Sequence, residues 1–596
     1  MSETDRADGY GNLAELWQRS SEAYSERQLF GVKEPDGWRW MTYGDLAGDV
    51  DACRAALAGH GIGAGGVVAV VADNRPEWAA AAYATYGRRA CYVPMYQAQG
   101  VKEWRFILND CSAQLVFCAS AEIFESLRGL AGQVDGCPAL EHVVCFDLPS
   151  DHPQSWQSFL SSAGTPVAPE FPAPEELAGF IYTSGTTGDP KGVKLSHGNI
   201  VSNINAVQPL LPLSGDDRSL SFLPWAHSFG QTCELHLLAS LGVAMGLNDE
   251  VPNLVENLPH VQPTVLLAVP RIFNRIYDAV TAQIRERPQV VQNLVNRGIA
   301  AAERQVSGDP LSLGDRLAFA ISDKLVFNKV RARFGGRLRY ALSGSAALSP
   351  EVASFIDALG IMVYEGYGLS ETSPIVSTNY PGHRKLGSVG KPIPGVTVEI
   401  DAAATEALDQ GEIIVRGPNV MQGYHNRPEE QANVFTDRGG LRTGDTGWLD
   451  DDGYLYIGGR IKEQYKLENG RYVMPAPLEE RLKLSPYIAH VMLEGTNRPF
   501  NMVLVVPAEE ALAEWAQDHG RELGRASESP DVHSLISSEV ERLAADFKGF
   551  EKPKAVVVVD EEFTTDNGLL TPTLKIKRAK VMEKYQAEID AAFAAV

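Results

Sequence analysis

Apolar positions change their spacing several times along the chain, and each change predicts an element. Leu46 to His60 reads as a helix, Val67 to Ala72 as an apolar run of strand length, Pro76 to Tyr86 as a second helix, and Cys91-Tyr92-Val93-Pro94 as a further strand. This alternation predicts layered α/β architecture with largely parallel strands. Four prolines in the stretch 163–177 predict an irregular surface connection. Beyond it, Leu177 to Tyr182 predicts a strand running into a Gly/Thr loop. A short strand at Val193 to Leu195 and a helix opened by Ser196 or Asn199, both capping residue types, follow.

Further along, Tyr277 to Arg337 is rich in Ala, Arg, Gln and Glu and predicts helices broken at SGDPLSLGD. From Gly411 the texture turns to short alternating strands and Gly turns, as in EIIVRG and DDGYLYIGG, which predicts a β-rich subdomain. A charged stretch, RIKEQYKLENGR, then leads into a separate α+β texture, placing a domain boundary near Arg460. The expected organisation is a large domain of layered α/β subdomains plus a β-rich one over 1–460, and a small α+β domain over 461–596. A chain of 596 residues exceeds what one hydrophobic core usually supports, in agreement with two or more domains.

Composition narrows the class. Hydrophobic residues at 44% and charged residues at 22% are values of a soluble globular chain. A net charge of −23 opposes non-specific attachment to nucleic acid or an anionic membrane, although local basic patches remain compatible with it. The opening MSETDRADGYGNL lacks the order of a secretory signal, and the apolar runs are too short to span a bilayer, so a cytoplasmic protein is expected. Seven cysteines form no CxxC pair, indicating neither a disulfide framework nor a zinc site. Gly61-Ile62-Gly63-Ala64-Gly65-Gly66 satisfies G-x-G-x-x-G, but it follows a helix and precedes a strand, the reverse of the dinucleotide-binding context; it reads as a helix C-cap and turn.

The candidate chemistry starts in the loop Thr183-Ser184-Gly185-Thr186-Thr187-Gly188-Asp189-Pro190-Lys191. Backbone N–H groups of such a loop can cradle phosphate oxygens, its hydroxyls add donors, and Lys191 supplies countercharge; its register is not that of a Walker A loop. Phe222-Leu223-Pro224-Trp225-Ala226-His227, Ser343-Gly344-Ser345-Ala346-Ala347-Leu348, Tyr364-Glu365-Gly366-Tyr367-Gly368-Leu369-Ser370-Glu371 and Leu441-Arg442-Thr443-Gly444-Asp445-Thr446-Gly447 follow in order. Taken alone, His227 reads as a structural histidine and Asp445 as a turn former.

YTSGTTGDPKGVKLSHGN closely resembles the phosphate-binding signature of the adenylate-forming superfamily, which includes acyl-CoA synthetases, adenylation domains and firefly luciferase. The later segments resemble that family's motifs in the same order. The resemblance implies that Thr183 to Gly188 and Lys191 bind the phosphates of ATP and that His227 lies beside the acyl pocket. It implies backbone contacts to adenine from Gly344 and Ser345, a stacking ring at Tyr367 within the Gly368 to Ser370 segment, and Mg²⁺ on Glu371 and Thr183. Asp445 and Arg460 would meet the ribose. Lys462 stands where relatives turn the small domain, Gly470 where a loop lines the tunnel for coenzyme A, and Lys575 where the catalytic lysine of adenylation stands. Catalytic roles are thus implied for Lys575, Glu371, His227 and Lys191. The loop around Gly470 and the Leu574 before Lys575 depart from the common pattern.

The implied reaction activates a carboxylic acid as acyl-AMP, releases pyrophosphate and transfers the acyl group to coenzyme A. Hinge motion near 460–462 would exchange Lys575 for the Gly470 loop between the two steps. Pro270-Arg271-Ile272-Phe273-Asn274-Arg275-Ile276-Tyr277, the helical stretch after it and NGLLTPTLKIKR resemble long-chain synthetases, which points to a long-chain fatty acid. Two other readings stay open: a ligase that loads a carrier protein, disfavoured by the lack of a carrier domain after Val596, and an inactive nucleotide-binding regulator of the same fold. Transient peripheral membrane contact is compatible with a lipid substrate.

Overall fold

The computed structural model describes residues 9–183, 190–285, 287–306, 309–346, 348–404, 410–565, 567–571 and 575–595. Its largest sheet has six strands in the order His142–Cys145, Leu115–Cys118, Val67–Val71, Cys91–Met95, Leu177–Thr183 and Lys191–Ser196. All neighbours run parallel except the last two, which pair antiparallel with Thr183 opposite Lys191. The parallel central strands are nearly all buried, as expected of strands covered on both faces. Helix Tyr43–Gly59 starts in a capping box made by Thr42 and Asp45, and helix Pro76–Tyr86 spans the predicted residues. The helix over 43–59 ends in a turn in which Gly61 adopts φ 76°, so the GIGAGG stretch is a helix terminus.

A four-stranded sheet joins Gly37–Thr42, Gln28–Glu34, Ala244–Leu247 and Arg218–Ser221. A five-stranded sheet holds Val265–Ala268, Tyr340–Ser343 and Met362–Gly368 in parallel, then Ile375–Thr378 and Lys391–Pro392 antiparallel. Helices Pro270–Arg285, Gln289–Val306, Leu313–Ser322 and Asn328–Arg333 fill the long connection between its first two strands.

The β-rich part is an antiparallel meander of Thr397–Asp401, Gly411–Arg416, Leu441–Leu449 and Leu455–Arg460. It begins at Thr397, ahead of the expected Gly411, because TVEID alternates over too few residues to read as a strand by itself. Beyond Arg460 come a small hairpin of Tyr465–Lys466 with Tyr472–Val473, a three-stranded sheet of Ile488–Glu494, Asn501–Pro507 and Pro553–Val558, and helices on it. The molecule is therefore a large layered α/β body with a β-rich part and a small C-terminal α+β part. The C-terminal part touches the five-stranded sheet's layer through Glu351, which accepts from Arg481 at 2.8 Å and from the Tyr277 hydroxyl at 2.5 Å. All seven cysteines are buried and free, and no helix among the described residues is long and apolar enough to cross a membrane.

Candidate active site

Strand ends bring the candidate residues together. Strand Leu441–Leu449 carries Asp445, and in the antiparallel register Asp445 faces Arg460, the last residue of Leu455–Arg460. Their ion pair is 3.0 Å long, with the Asp445 side chain 8% exposed and Arg460 half exposed. The other Asp445 oxygen accepts from the Tyr367 hydroxyl at 2.7 Å. Burial, and then the Asp445 charge, push the Tyr367 phenol well above its usual range, so it stays a donor. Each carboxylate oxygen of Asp445 keeps a second acceptor position, which leaves capacity for two further hydroxyl donors.

Tyr367 and Gly368 end strand Met362–Gly368, and Glu371 lies in the short 3₁₀ turn that follows. A Cβ at Gly368 would collide with the Pro374 carbonyl oxygen, so no larger residue fits this crossing. Ser370 meets Ser228 hydroxyl to hydroxyl at 3.1 Å. The Glu371 carboxylate accepts from Tyr424 at 2.8 Å. Lys191 lies 5.7 Å from the centre of the Tyr424 ring and pairs with Glu430 at 2.7 Å. Tyr424 thus connects the lysine after the Gly/Thr loop to the carboxylate of the 3₁₀ turn. Neither Tyr424, Glu430 nor Ser228 was singled out from sequence, because each is a lone residue far along the chain from its partner, without periodicity or motif spacing.

His227 ends the LPWAH segment and precedes a helical stretch, Phe229–His236, wound in π geometry. Its Nδ1 accepts from the Phe229 N–H at 3.2 Å, which leaves the proton of the neutral ring on Nε2. Burial first, and the positive charge of Lys575 second, lower its pKa to about 4. Behind it, fully buried Glu234 accepts from Ser221 at 2.5 Å; burial outweighs that bond and raises its pKa to about 8.

Lys575 is tied to Thr571: the Thr571 N–H donates to the Lys575 carbonyl at 2.8 Å, and the Lys575 N–H to the Thr571 hydroxyl at 3.1 Å. Leu570 and Ile576 pair across it. Solvent reaches Lys575 at the mouth of the cleft, yet surrounding protein desolvates its ammonium and lowers its pKa. Arg460 adds to that lowering, while Asp445, Glu463 and Glu371 oppose it. One field therefore joins Lys575 to Glu371, Asp445, Arg460 and His227, although Lys575 comes from the C-terminal part and all the others from the large body.

The remaining candidates fall in three groups. Thr183 ends its strand opposite Lys191, whereas Ser184, Gly185, Thr186, Thr187 and Gly188 lie outside the described residues. Gly344 follows strand Tyr340–Ser343 and approaches the Phe229 ring, where a Cβ would stand 3.1 Å away; Ser345 next to it takes φ 72°. Glu365, itself buried, accepts from the Leu348 N–H at 3.3 Å and so ties this loop to the strand of Tyr367. Gly470, at φ 83°, turns the hairpin Tyr465–Lys466 and Tyr472–Val473, whose outer bonds run from Asn497 to Lys466 at 2.8 Å and from Glu468 to Arg498 at 2.9 Å. The structure groups it with those residues and not with the Lys575 cluster.

A family model described as AMP-binding enzyme matches residues 17–425, and one described as AMP-binding enzyme C-terminal domain matches 462–596. The chain is 32% identical to the peroxisomal long chain acyl-CoA synthetase 7 of Arabidopsis thaliana, over 98% of this chain and 87% of that one. It is 33% identical to the long-chain-fatty-acid–CoA ligase FadD15 of Mycobacterium bovis, over 93% and 92%. In fold it superposes on the adenylation domain of a carboxylate reductase from Mycobacterium chelonae with TM-score 0.79, at 23% identity over 98% of this chain and 91% of that one. With both family models matched in sequence order over nearly all of its length, the chain belongs to the AMP-binding, adenylate-forming enzyme family, on the side of that family where the long-chain acyl-CoA synthetases lie.

Proposed function

We propose that the protein joins a long-chain fatty acid to coenzyme A through an acyl-adenylate, with ATP as the activating substrate. The observation that supports this reading is that Lys575, from the C-terminal part, lies within electrostatic reach of Glu371, Asp445, Arg460 and His227, of which Asp445 and Arg460 pair directly. A carboxylate is a poor acyl donor because its leaving group would be oxide. Attack of one carboxylate oxygen on the α-phosphorus of ATP forms a mixed anhydride and expels pyrophosphate. Two anions must approach, so positive charge has to stand where they meet.

In this reading Lys575 supplies that charge, and its desolvation makes the ammonium less solvated in advance and more effective on the entering anions. Asp445, held by Tyr367 and Arg460, offers its free acceptor positions to the ribose hydroxyls. His227, neutral with its proton on Nε2, donates to a nearby oxygen without adding a net charge. Lys191 and the Gly/Thr loop hold the outer phosphates. The Glu371 carboxylate and the Thr183 hydroxyl are oxygen donors suited to Mg²⁺, which would neutralise phosphate charge; among the described residues no three His, Cys, Asp or Glu gather into a metal cluster, so its other ligands would be phosphate and water oxygens.

The second step needs the thiol of coenzyme A at the same carbonyl, where Lys575 stands. A hinge at 460–462 dividing 1–460 from 461–596 provides the exchange, turning Lys575 out and the Gly470 hairpin in. Acid-dependent exchange of pyrophosphate into ATP tests the first step, and thioester formation across acids of increasing chain length tests the second. Best turnover with acetate or an aromatic acid overturns the long-chain assignment. Thioester appearing only on a phosphopantetheine carrier protein replaces coenzyme A as acceptor.

A further inference from the structure

Strands Arg218–Ser221 and Ala244–Leu247 run parallel to Gln28–Glu34, and the three begin at the same end of their sheet. At that end a cavity of about 170 Å³ opens between Arg27, Arg218 and Arg337, with Asp216 and Asp217 on its wall. The candidate active site lies at the other end. Ser221 leads into the segment of His227, and strand Tyr340–Ser343, which starts just beyond Arg339, leads into Gly344. The cavity is therefore outside the cleft, opposite the carboxyl ends where parallel sheets usually hold their ligands.

Arg218 is half-buried and held on three sides. Its guanidinium stands 4.5 Å from the centre of the Trp40 ring, Nη1 donates to the Val261 carbonyl at 3.2 Å, and Nη2 to the Gln28 Oε1 at 3.0 Å. None of these partners carries a charge. Burial first, and the charge of Arg337 second, lower the Arg218 pKa, as for a cation that faces a cation. The Arg337 side chain is exposed and has neither ion pair nor hydrogen bond among the described residues. Two of the five N–H donors of Arg218 are used, so three stay open, as do those of Arg337.

The acids on the wall do not balance these two cations. Asp217 is 4% exposed, and its oxygens are taken by Arg339 at 2.6 Å, the Thr264 hydroxyl at 2.6 Å and the Ser214 N–H at 2.9 Å. Asp216 pairs with Arg27 at 3.0 Å, but its side chain is 87% exposed, and such a surface pair contributes little. Charges more than about 8 Å away are largely screened at physiological ionic strength, so the net charge of −23 does not cancel the local surplus.

We propose that this cavity is a second anion site, separate from the nucleotide cleft, that takes a small dianion of the phosphate class. Two uncompensated guanidiniums on one cavity suit an oxyanion with three or four oxygens, which can accept from both. Chloride or a monocarboxylate satisfies one and leaves the other beside a like charge. The volume argues the same way: sites for drug-sized ligands run from about 300 to 1,000 Å³, so a whole nucleotide is too large. The inference does not rest on the proposed function and can fail while that function stands.

The experiment is calorimetric titration of the full chain with inorganic phosphate at constant ionic strength, the cleft being filled by a saturating non-hydrolysable ATP analogue with Mg²⁺. One further site is expected, with phosphate bound more tightly than chloride or acetate. Arg337→Gln should weaken it by about tenfold or more while the melting temperature and pyrophosphate exchange stay unchanged, because this side chain has no other hydrogen bond or ion pair. Arg218→Gln should weaken it at least as much. Glycerol 3-phosphate displacing phosphate from this site would identify the ligand as a phosphate monoester, and its failure to compete would identify the free ion. No phosphate binding beyond the cleft, equal binding of chloride, or Arg337→Gln and Arg218→Gln proteins that bind like the wild type would each overturn the proposal.

Discussion

Two neighbouring regions concentrate polar side chains and treat them in opposite ways. In the cleft, polar groups face one another in pairs: Asp445 with Arg460, Lys191 with Glu430, Glu371 beside Tyr424. In the sealed layer behind it, His236 with Tyr83 at 3.1 Å, His197 under the Tyr86 ring, and Glu234 with Ser221 are held in their uncharged forms by burial. The residue types overlap; the environment separates them. Opposite-sign partners are left facing one another where the proposed anionic substrate would be met, and burial removes charge where only packing is needed. The stretch 227–236 belongs to both regions, with His227 at the cleft end and Glu234 and His236 in the sealed layer.

The comparison breaks first at Lys575. If cleft charge is catalytic, Lys575→Ala should lower acid-dependent pyrophosphate exchange by about a hundred- to a thousandfold, with thioester formation from supplied acyl-adenylate largely spared. Equal loss in both half-reactions would reduce Lys575 to a structural contact. Next in size is Asp445→Ala, which removes the acceptor for Tyr367 and Arg460 together. It should raise KM for ATP by about ten- to a hundredfold, the cost of charge-assisted bonds, and lower the melting temperature only modestly, because half-exposed Arg460 can turn to water once its buried partner is gone. A collapse of stability would place Asp445 with the sealed group instead.

How much of this was legible from sequence depended on whether the signal was local. Helix Pro76–Tyr86, the strand before the Gly/Thr loop and the Ser196 cap were readable because spacing and capping chemistry sit within a few residues. Strand order was not: Val67–Val71 lies between Leu115–Cys118 and Cys91–Met95, a choice made by packing across the sheet. Of the residues the structure groups together, Asp445, Glu371 and Lys575 were singled out through motifs, while Tyr424 and Glu463 were not. Tyr424 acts on Glu371 from 53 residues away, and Glu463 looked like one charge in a solvated run. Glu234 was hidden in the apolar stretch CELHLL, where one acid reads as a helix's polar face.

The sealed layer gives the next effect, read as stability against pH. His236 and His197 have folded pKa values depressed to about 3, so their contribution is complete above about pH 6.5 and is lost as pH falls toward that value. Glu234 has the opposite sign: raised to about 8, it contributes fully below its unfolded value near 4.5 and loses that contribution as pH rises through 8. Glu234→Gln keeps an acceptor for Ser221 and cannot ionise. It should remove the loss of stability that ionising Glu234 causes between about pH 4.5 and 8, on the order of several kcal/mol, while leaving the histidine contribution in place. An unchanged slope over that range would mean that Glu234 is already ionised in the fold.

The smallest effect tests how the cleft uses backbone as opposed to side chains. Ser345 adopts φ 72°, a left-handed conformation that costs a residue with a Cβ about 1 kcal/mol and glycine nothing. Ser345→Gly relieves that strain but frees the unfolded chain by about 0.4–1 kcal/mol, so the two terms nearly cancel and the melting temperature should stay within about 3 °C. If the loop meets adenine through its backbone, KM for ATP should also hold within about twofold, because glycine keeps the same N–H and carbonyl in the same conformation. A tenfold rise in KM at unchanged stability would assign the contact to the Ser345 hydroxyl, a side-chain hydrogen bond of about 1.4 kcal/mol.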